Sequence, residues 1–348
     1  MSKVADETLF KLIHDFLVVY LPTQRNSSHN TIRAYRNALE MLLDFIKQQN
    51  KIPLYKVSFR MLNEKSISAF LDSLEVERGC GISTRNHRLQ CIRAFLKYAA
   101  MLEPTTVVHK NELFKIPVKK GAERKNVEYM SETAVKALLA EPDAGTRIGL
   151  RNRCFMILAY DTAARVQELA DLRLRDIRLG KTPTIVITGK GSKTRMVPLM
   201  KPTVLHLENY LSAYHNRESL LSERPLFYSI RGGVPQPLSC DGIRKWMREY
   251  GETAREKCRE IPEIVHPHLL RHSRAMHLYQ NGMDLTLVSQ WLGHAQLETT
   301  LIYAHADTEQ KRAAIEKATP KTNALQEAPS SRFDVNDDDV LKRLYGLK

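Results

Sequence analysis

One short segment places an acid–base side chain and a cation on the same face of a predicted helix. His268 and Arg271 lie three residues apart and follow Pro267, which suits the first turn of a helix. A guanidinium can pair with two phosphate oxygens at once, and a neighbouring imidazole can accept or donate a proton. The segment therefore predicts a site for a tetrahedral phosphate. The ordinary alternative is an arginine and a histidine on a solvated helix.

Three other segments carry residues suited to the same chemistry. Arg165 follows an apolar helix, and Glu168 can hold its guanidinium in place or form only an ordinary surface ion pair with it. Lys190 lies between two glycines at a strand end, where a turn would present its ammonium group, although many β-turns have this composition. Tyr303 follows His294 by nine residues. The chain thus offers two guanidiniums, an ammonium, imidazoles and a phenol.

Two other chemistries are considered for these segments. His268 and His272 have the spacing of a zinc-binding helix, and His266 and His277 lie nearby. The residues between the first pair include no general-base glutamate and place Arg271 beside any cation, so we expect no metal. The glycines around Lys190 lack the spacing of a nucleotide-binding P-loop and do not open a helix, so we expect no ATP site and no cofactor.

The composition is that of a soluble globular protein with a polyanionic partner. Its 348 residues are 43% hydrophobic and carry a net charge of +14, which favours nucleic acid because Lys and Arg replace counterions on phosphates. A basic protein without such a partner is the alternative. The five cysteines are scattered and never spaced C-x-x-C, which predicts a reducing cytoplasm rather than a disulfide framework. We see no signal peptide or membrane-spanning run and expect a cytoplasmic protein without membrane contact.

The elements that position these residues are expected to form two domains. The predicted parts are a helical domain over 1–116, a linker over 117–128, a second domain over 129–318 that carries the residues above, and a spacer with a C-terminal helix over 319–348. Helical periodicity in the first domain predicts helices over 9–21, 31–47, 66–75 and 83–100, the last of them capped by Ser83.

The second domain is predicted to combine helices with a few short strands. Helices are expected over 132–139 and 149–162, from about 165, and through most of 204–318 apart from a loop over 229–239. Strands over 184–188 and 195–199 flank the polar turn 189–193 and predict a hairpin, to which 177–179 adds a third strand.

Basic side chains line one predicted helix face and continue into the linker. We expect contacts with the DNA backbone from Arg85, Arg88, Arg93, Lys97, Lys119 and Lys120, with a merely solvated face as the alternative. The tail begins with acidic residues and then places apolar residues at helical spacing, which predicts a short helix over 334–347. Such a helix is marginal alone, so it should dock on the same chain or on a neighbouring subunit.

The ordered set Arg165, Lys190, His268-x-x-Arg271, His294 and Tyr303 resembles the tyrosine recombinase (phage integrase) family, and its motifs are most similar to those of Xer and transposon-encoded recombinases. Ser28-x-x-Thr31-x-x-x-Tyr35 and Ser83-Thr-Arg-Asn86 weakly resemble the family's core-binding domain. Ala163-Ala164 departs from the family's usual Gly-Leu but leaves Arg165 intact. The resemblance implies a mainly α fold, with a helical, SAM-like core-binding domain and an α+β catalytic domain that contains a small antiparallel sheet.

The resemblance also implies a mechanism without metal or ATP. Tyr303 would attack the scissile phosphate to form a 3′-phosphotyrosyl link while the 5′-hydroxyl leaves. The other expected roles are proton acceptor for His268, acid for Lys190, charge neutralisation for Arg165 and Arg271, a hydrogen bond to a non-bridging oxygen for His294, and orientation of Arg165 for Glu168. Strand exchange would pass through a Holliday junction in a homotetramer on double-stranded DNA with inverted-repeat sites, with helix 334–347 as a candidate contact between subunits.

Several biological roles remain open at this point. We favour the integrase or transposase of a mobile element because of the long tail. A Xer-like recombinase that resolves chromosome or plasmid dimers and a type IB topoisomerase are the enzymatic alternatives. A DNA-binding accessory protein is the non-enzymatic one, and the complete set of catalytic residue types argues against it.

Overall fold

A computed structural model describes residues 4–121, 127–189, 191, 193–294, 296–306 and 338–347. The chain divides into two compact units, Met1–Lys125 and Asn126–Lys348. The first unit contains helices alone among its described residues, whereas the second combines helices with two small antiparallel sheets. The predicted fold class is thereby confirmed.

The first unit is a set of helices joined by short turns. Its α-helices are α1 (Glu7–His14), α2 (His29–Asn50), α3 (Glu64–Val76), α4 (Ile82–Leu102) and α5 (Val107–Lys115). A π-helix (Asp15–Gln24) continues α1, and 3-10 turns occupy Leu54–Lys56, Phe59–Met61 and Pro104–Thr106. The sequence pattern missed α5. The predicted cap at Ser83 is wrong, because Gly81 takes the extended N-cap position and Ser83 lies within the first turn of α4.

An aromatic cluster joins the N-terminal helix of this unit to α2 and α4. The ring of Phe16 lies 5.4 Å from Tyr35, 5.7 Å from Phe95 and 5.3 Å from Tyr98, between ring centroids. Phe16 and Phe95 are completely buried or nearly so. Aromatic pairs at such distances stabilise a core beyond the area that they bury, so this cluster accounts for the packing of the helices whose periodicity the sequence displays.

The second unit combines helices with five short strands among its described residues. Its helices are α6 (Glu132–Ala140), α7 (Arg147–Thr162), α8 (Val166–Ala170), α9 (Lys201–Tyr214), α10 (Cys240–Lys257), α11 (Pro267–Gln280), α12 (Leu285–Leu292) and α13 (Leu301–Ala306), with 3-10 turns at Leu174–Asp176 and Leu297–Thr299. Its strands are β1 (Ile177–Arg178), β2 (Thr184–Thr188), β3 (Thr194–Pro198), β4 (Tyr228–Arg231) and β5 (Val234–Pro237).

The three-stranded sheet has the order β1-β2-β3 and is antiparallel throughout. Ile187 of β2 pairs with Arg195 of β3, and the turn closes where the Gly189 amide donates to the carbonyl of Lys193 at 2.8 Å. The predicted hairpin is confirmed. Lys190 lies in this turn but outside the described residues, so its predicted role stays a prediction.

The predicted loop over 229–239 is wrong, because β4 and β5 form a second hairpin there. Gly232 and Gly233 both have positive φ, at 55° and 77°, as a tight two-residue hairpin turn requires. Pro235 and Pro237 concealed the pattern, since prolines usually argue against strands. They are tolerated here because each strand has a single partner in this two-stranded ribbon.

The tail contains a helix, which we name α14 (Asp338–Leu344). It is shorter than the predicted range of 334–347, whose first four residues lie outside the described part of the chain. Tyr345 and Leu347, which follow α14, are exposed. Among the helices that the structure describes, none is long and apolar enough to cross a membrane.

Candidate active site

Arg165 is positioned by a sharp change of chain direction between α7 and α8. Ala163 ends α7 in the left-handed conformation, with φ of 50°, and Arg165 becomes the N-cap of α8. Glu168 fixes both the main chain and the side chain of Arg165. One of its carboxylate oxygens accepts the Arg165 amide at 3.0 Å, and the other accepts Nη1 at 2.7 Å. The Arg165 side chain keeps 38% of its surface exposed and can therefore reach a ligand.

Glu168 is a buried carboxylate shared by two arginines. Arg195 Nη2 donates to its Oε2 at 2.7 Å, beside the bonds from Arg165. Burial alone would raise the pKa of Glu168, but the hydrogen bonds from Arg195 and Arg165 outweigh it and lower this pKa. The carboxylate is thus ionised at neutral pH and holds both guanidiniums, as the sequence predicted for Arg165 alone.

Arg271 lies on α11 and is almost completely buried. Its Nη1 donates to the carbonyl of Ala163 at 2.5 Å, and its Nη2 donates to the carbonyl of Leu292 at 2.8 Å. Burial and then the charge of Arg165 lower the pKa of Arg271 to about 10, so the group remains cationic at neutral pH. One guanidinium therefore ties the segment before Arg165 to the segment before His294.

His268 and His294 lie near these two arginines. His268 occupies the first turn of α11, as predicted, and its imidazole is open to solvent although protein atoms crowd one side of it. That crowding and the charge of Arg271 lower the pKa of His268. His294 Nδ1 lies 2.8 Å from Thr300 Oγ1, and burial followed by Arg271 lowers its pKa to about 4. Both imidazoles are therefore neutral at pH 7, when each ring has one nitrogen that can accept a proton.

Tyr303 lies on α13 and is fully buried among apolar side chains that include Ala163, Met276 and Leu292. Its hydroxyl lies 2.8 Å from His272 Nδ1. Burial raises the pKa of Tyr303 to about 12, partly offset by Arg271, so the phenol is the hydrogen-bond donor. Burial, His268 and Arg271 lower the pKa of His272 to about 4, so its neutral ring accepts.

His272 is the residue of this site that sequence reasoning missed. Its spacing from His268 points only to a zinc ligand, whereas in the structure it is the hydrogen-bond partner of the phenol. Its position directly after Arg271 on the same helix was the available signal. Among the residues that the structure describes, no group of three or more His, Cys, Asp and Glu side chains is arranged to hold a metal ion.

The expected DNA-contacting arginines of α4 have partners within the first unit. Arg85 is buried and donates to the carbonyl of Pro117 at 3.0 Å, and Arg93 donates to the carbonyl of Ile116 while its guanidinium lies 5.0 Å from the ring centroid of Phe114. These two arginines thus hold segment 114–119 against α4.

The other basic residues predicted to contact DNA differ in how exposed they are and in whether they have partners within the protein. Arg88 is half-buried and donates to the carbonyl of Ala34 at 3.4 Å. Lys119 pairs with Glu75 at 2.5 Å. Lys97 and Lys120 are exposed. Most of the basic residues predicted to contact DNA therefore bond to other groups of the protein. Lys97 and Lys120 are the most accessible of the six.

Comparisons with known proteins match both units of the chain. Residues 128–310 match the phage integrase family, and residues 14–102 match the phage integrase N-terminal SAM-like domain. An integrase/recombinase of Sinorhizobium fredii, y4rC, is 33% identical over 98% of this chain and 98% of its own length. The tyrosine recombinase XerC of Oceanobacillus iheyensis is 30% identical over 90% of this chain and 97% of its own length.

A solved structure shares the fold. The integrase of transposon Tn1549, in complex with transposon right-end DNA, superposes with a TM-score of 0.66 over 88% of this chain and 98% of that chain, at 16% identity. Family match, near-complete alignment with the relatives and common fold lead to one conclusion. The chain belongs to the phage integrase family and is a tyrosine recombinase, an enzyme that cleaves and rejoins DNA strands.

Proposed function

We propose that this chain is a site-specific recombinase that cleaves double-stranded DNA through a 3′-phosphotyrosyl link to Tyr303. The observation that carries the proposal is the hydrogen bonding of Arg271, which joins the carbonyls of Ala163 and Leu292. These carbonyls lie two residues before Arg165 and His294, respectively. One buried cation thus brings together the segments whose side chains would surround a phosphate.

The proposed roles follow from charge and accessibility. Arg165 is the accessible guanidinium and would bind the non-bridging oxygens, while buried Arg271 would add positive potential from behind. Such preorganised charge commonly contributes about 3–4 kcal/mol per donor in a transition state. Neutral His294 would donate a hydrogen bond to the phosphate, and neutral His268, open to solvent, would accept the proton of the phenol. Lys190 would protonate the departing 5′-oxygen.

Tyr303 must move before it can attack. Its side chain has no exposed surface, and its hydroxyl is bonded to His272. A phosphate cannot contact an atom that no solvent reaches, so we propose that DNA binding is followed by a shift of α13 that frees the phenol. The buried position of Tyr303 would then be a resting one.

The biological role that we propose is strand exchange for a mobile element. The near-complete alignment with the integrase/recombinase y4rC supports it, and so does the fold shared with the Tn1549 integrase, which was solved with transposon DNA. A Xer-like role in dimer resolution is the second candidate, favoured by the 30% identity to XerC. Both roles would use a homotetramer on inverted-repeat DNA and a Holliday junction in the cytoplasm.

A covalent-trapping experiment tests the chemistry. Sequences bound by the Tyr303→Phe protein are first selected from a random duplex pool and then rebuilt as nicked suicide substrates. We expect a protein–DNA adduct from the wild type and from Tyr279→Phe, a control that changes another tyrosine packed against the same apolar cluster, and none from Tyr303→Phe. Mass spectrometry should assign the 3′-phosphate link to the peptide containing Tyr303.

The same substrates separate the competing functions. Paired sites on one plasmid should give recombinant products, whereas relaxation of supercoils without recombinants would indicate a topoisomerase. Binding without any adduct would indicate an accessory protein. For the biological role, inverted repeats or transposon genes flanking the coding region would favour the mobile element, and their absence beside a chromosomal dimer-resolution site would favour the Xer-like role.

A further inference from the structure

Arg195 lies in a slot between three segments of the candidate site. It belongs to β3, and its side chain is only 13% exposed. Its Nη2 donates to Glu168 Oε2 at 2.7 Å, and its Nε donates to the carbonyl of Trp291 at 3.1 Å. Arg271 makes a similar pair of hydrogen bonds. Each guanidinium therefore bridges the α7–α8 region and the end of α12.

One glycine makes room for this guanidinium, and a second makes room for its carboxylate partner Glu168. A Cβ atom at Gly293, where φ is +64°, would lie 2.9 Å from Arg195 Nη1 and 3.0 Å from its Cδ. A Cβ atom at Gly189 would lie 3.0 Å from Glu168 Oε1. Contacts of this length are shorter than a Cβ atom normally makes with any neighbouring heavy atom. Gly189 precedes Lys190 and Gly293 precedes His294, so the slot is bordered by the neighbours of two candidate site residues.

A single carboxylate holds both guanidiniums that reach the slot. Glu168 is the carboxylate that both Arg165 and Arg195 contact, and it is buried. Removing one partner from a buried ionic group leaves the others imperfectly paired and lets them shift. Loss of Arg195 would therefore change the position of Glu168, and with it the orientation of Arg165.

We propose that Arg195 is a positioning residue. It keeps the segments that carry Arg165, Lys190 and His294 correctly placed relative to one another, without touching DNA. It acts on Arg165 through Glu168, on His294 through the carbonyl of Trp291, and on the turn of Lys190 through its pairing opposite Ile187 in the hairpin. This inference rests on the proposed function, because it assigns Arg195 to the alignment of that same site.

Substitution of Arg195 should separate cleavage from binding. Arg195→Met removes both hydrogen bonds, and a misplacement of about 1 Å can cost roughly 100-fold in rate. We expect a fall of that order in the single-turnover rate of adduct formation, with a dissociation constant for the selected DNA within about twofold of the wild type. Arg195→Lys can keep one of the two contacts, so its rate of adduct formation should lie between those of the wild type and Arg195→Met. This milder variant keeps the test valid if Arg195→Met fails to fold.

Two further readouts distinguish positioning from general destabilisation. Guanidinium ion at tens of millimolar should restore part of the rate to Arg195→Ala, because it can enter the vacated slot. Hydrogen exchange in Arg195→Met should accelerate in peptides covering 163–168, 188–191 and 291–294 and remain unchanged in the first unit. The matched control is Arg175→Met, which removes an arginine whose ion pair with Glu223 is exposed, and it should behave like the wild type.

These experiments distinguish failure of the positioning role of Arg195 from failure of the proposed recombinase function. Absence of any adduct from the wild type would reject that function, while hydrogen exchange would still report on the slot. Accelerated exchange confined to the three segments, together with slow cleavage and retained binding, supports the inference. A wild-type cleavage rate in Arg195→Met would overturn it, and so would unchanged exchange in all three segments.

Discussion

The guanidinium of Arg271 and the main-chain carbonyl of Ala163 are joined by a hydrogen bond of 2.5 Å. Ala163 is fully buried and has a φ of 50°, a conformation that L-residues, unlike glycine, adopt only at a cost of about 1–2 kcal/mol. This backbone conformation aims the carbonyl at Arg271. An alanine at this position therefore holds the turn at an energetic cost that a glycine would not carry.

The first prediction concerns this turn. Ala163→Val should lower the unfolding free energy by about 1–2 kcal/mol more than Ala164→Val, because both positions are buried but only the first has positive φ, which a β-branched side chain tolerates much less well than alanine does. Ala163→Gly should stay within about 1 kcal/mol of the wild type, since relief of the backbone offsets the lost methyl group and the added chain entropy. Chemical denaturation measures the differences, and suicide-substrate cleavage should follow the same order. Equal losses from the two valine variants would show that φ at Ala163 carries no special cost.

The second prediction concerns Arg271 itself. Arg271→Lys should reduce the rate of adduct formation about 100- to 1,000-fold while DNA binding persists, because a single ammonium cannot bridge the carbonyls of Ala163 and Leu292 with the same geometry. Single-turnover cleavage and a gel-shift assay separate the two effects. Cleavage at the wild-type rate would remove Arg271 from the site.

The sequence was sufficient for much of the framework. Apolar periodicity located α2, α3 and α4 to within a few residues, and β-branched runs around Gly189 located the hairpin of β2 and β3. The proximity of Arg165, Arg271 and His294 could also be expected, because the motifs occur together and in order. Their chemical roles remain predictions.

Other features depend on contacts that periodicity does not encode. The arginines of α4 have the spacing of a solvated face. In the structure, segment 114–119 packs against this face, and its carbonyls accept hydrogen bonds from Arg85 and Arg93. Likewise, the partner of Tyr303 is set by how α13 packs on α11. The position of His272 next to Arg271 could mark it as a residue of the site, but it could not show that His272 contacts the phenol. The role of Arg195 depends on a slot built from three distant segments.

The third prediction tests whether the bond between His272 and Tyr303 is a resting contact. His272→Leu leaves a buried hydroxyl without its acceptor, which costs about 1–3 kcal/mol and should favour release of the phenol. We therefore expect the initial rate of adduct formation to rise roughly fivefold or more, as about 1 kcal/mol corresponds to such a factor. The matched control is His277→Leu on the same helix, which breaks a similar bond to Tyr160 and should not accelerate cleavage. Slower cleavage by His272→Leu would instead indicate that His272 takes part in proton removal.

The fourth prediction concerns the pH dependence of stability. The pKa of His272 and that of His294 are each lowered to about 4, against an ordinary value of about 6.5. Between these values the unfolded chain binds protons that the folded chain does not, so the free energy of unfolding falls as the pH drops from about 6.5 towards 4. Each kcal/mol lost should lower the melting temperature by about 2–4 °C in a domain of this size.

Melting scans from pH 7.5 to pH 5 measure this dependence. The double variant His272→Gln and His294→Gln should show a smaller decrease than the wild type, with some decrease remaining because the pKa values of His215 and His277 are also lowered by burial. A decrease as steep in the double variant as in the wild type would show that these two imidazoles are not the groups that titrate.

The fifth prediction concerns the tail. Leu341 of α14 is half-buried, while Tyr345 and Leu347 beyond it are exposed apolar side chains that a neighbouring subunit could cover. A helix of this length is not stable alone, so its stability must come from docking. We expect deletion of 332–348 to reduce the yield of tetrameric synaptic complexes severalfold on native gels while binding to a single site changes little. The double variant Tyr345→Ser and Leu347→Ser should reproduce this loss if the partner is another subunit, because it removes only exposed apolar surface. If α14 docks within its own chain, the deletion should instead lower the melting temperature of the monomer and leave the tetramer yield at the wild-type level.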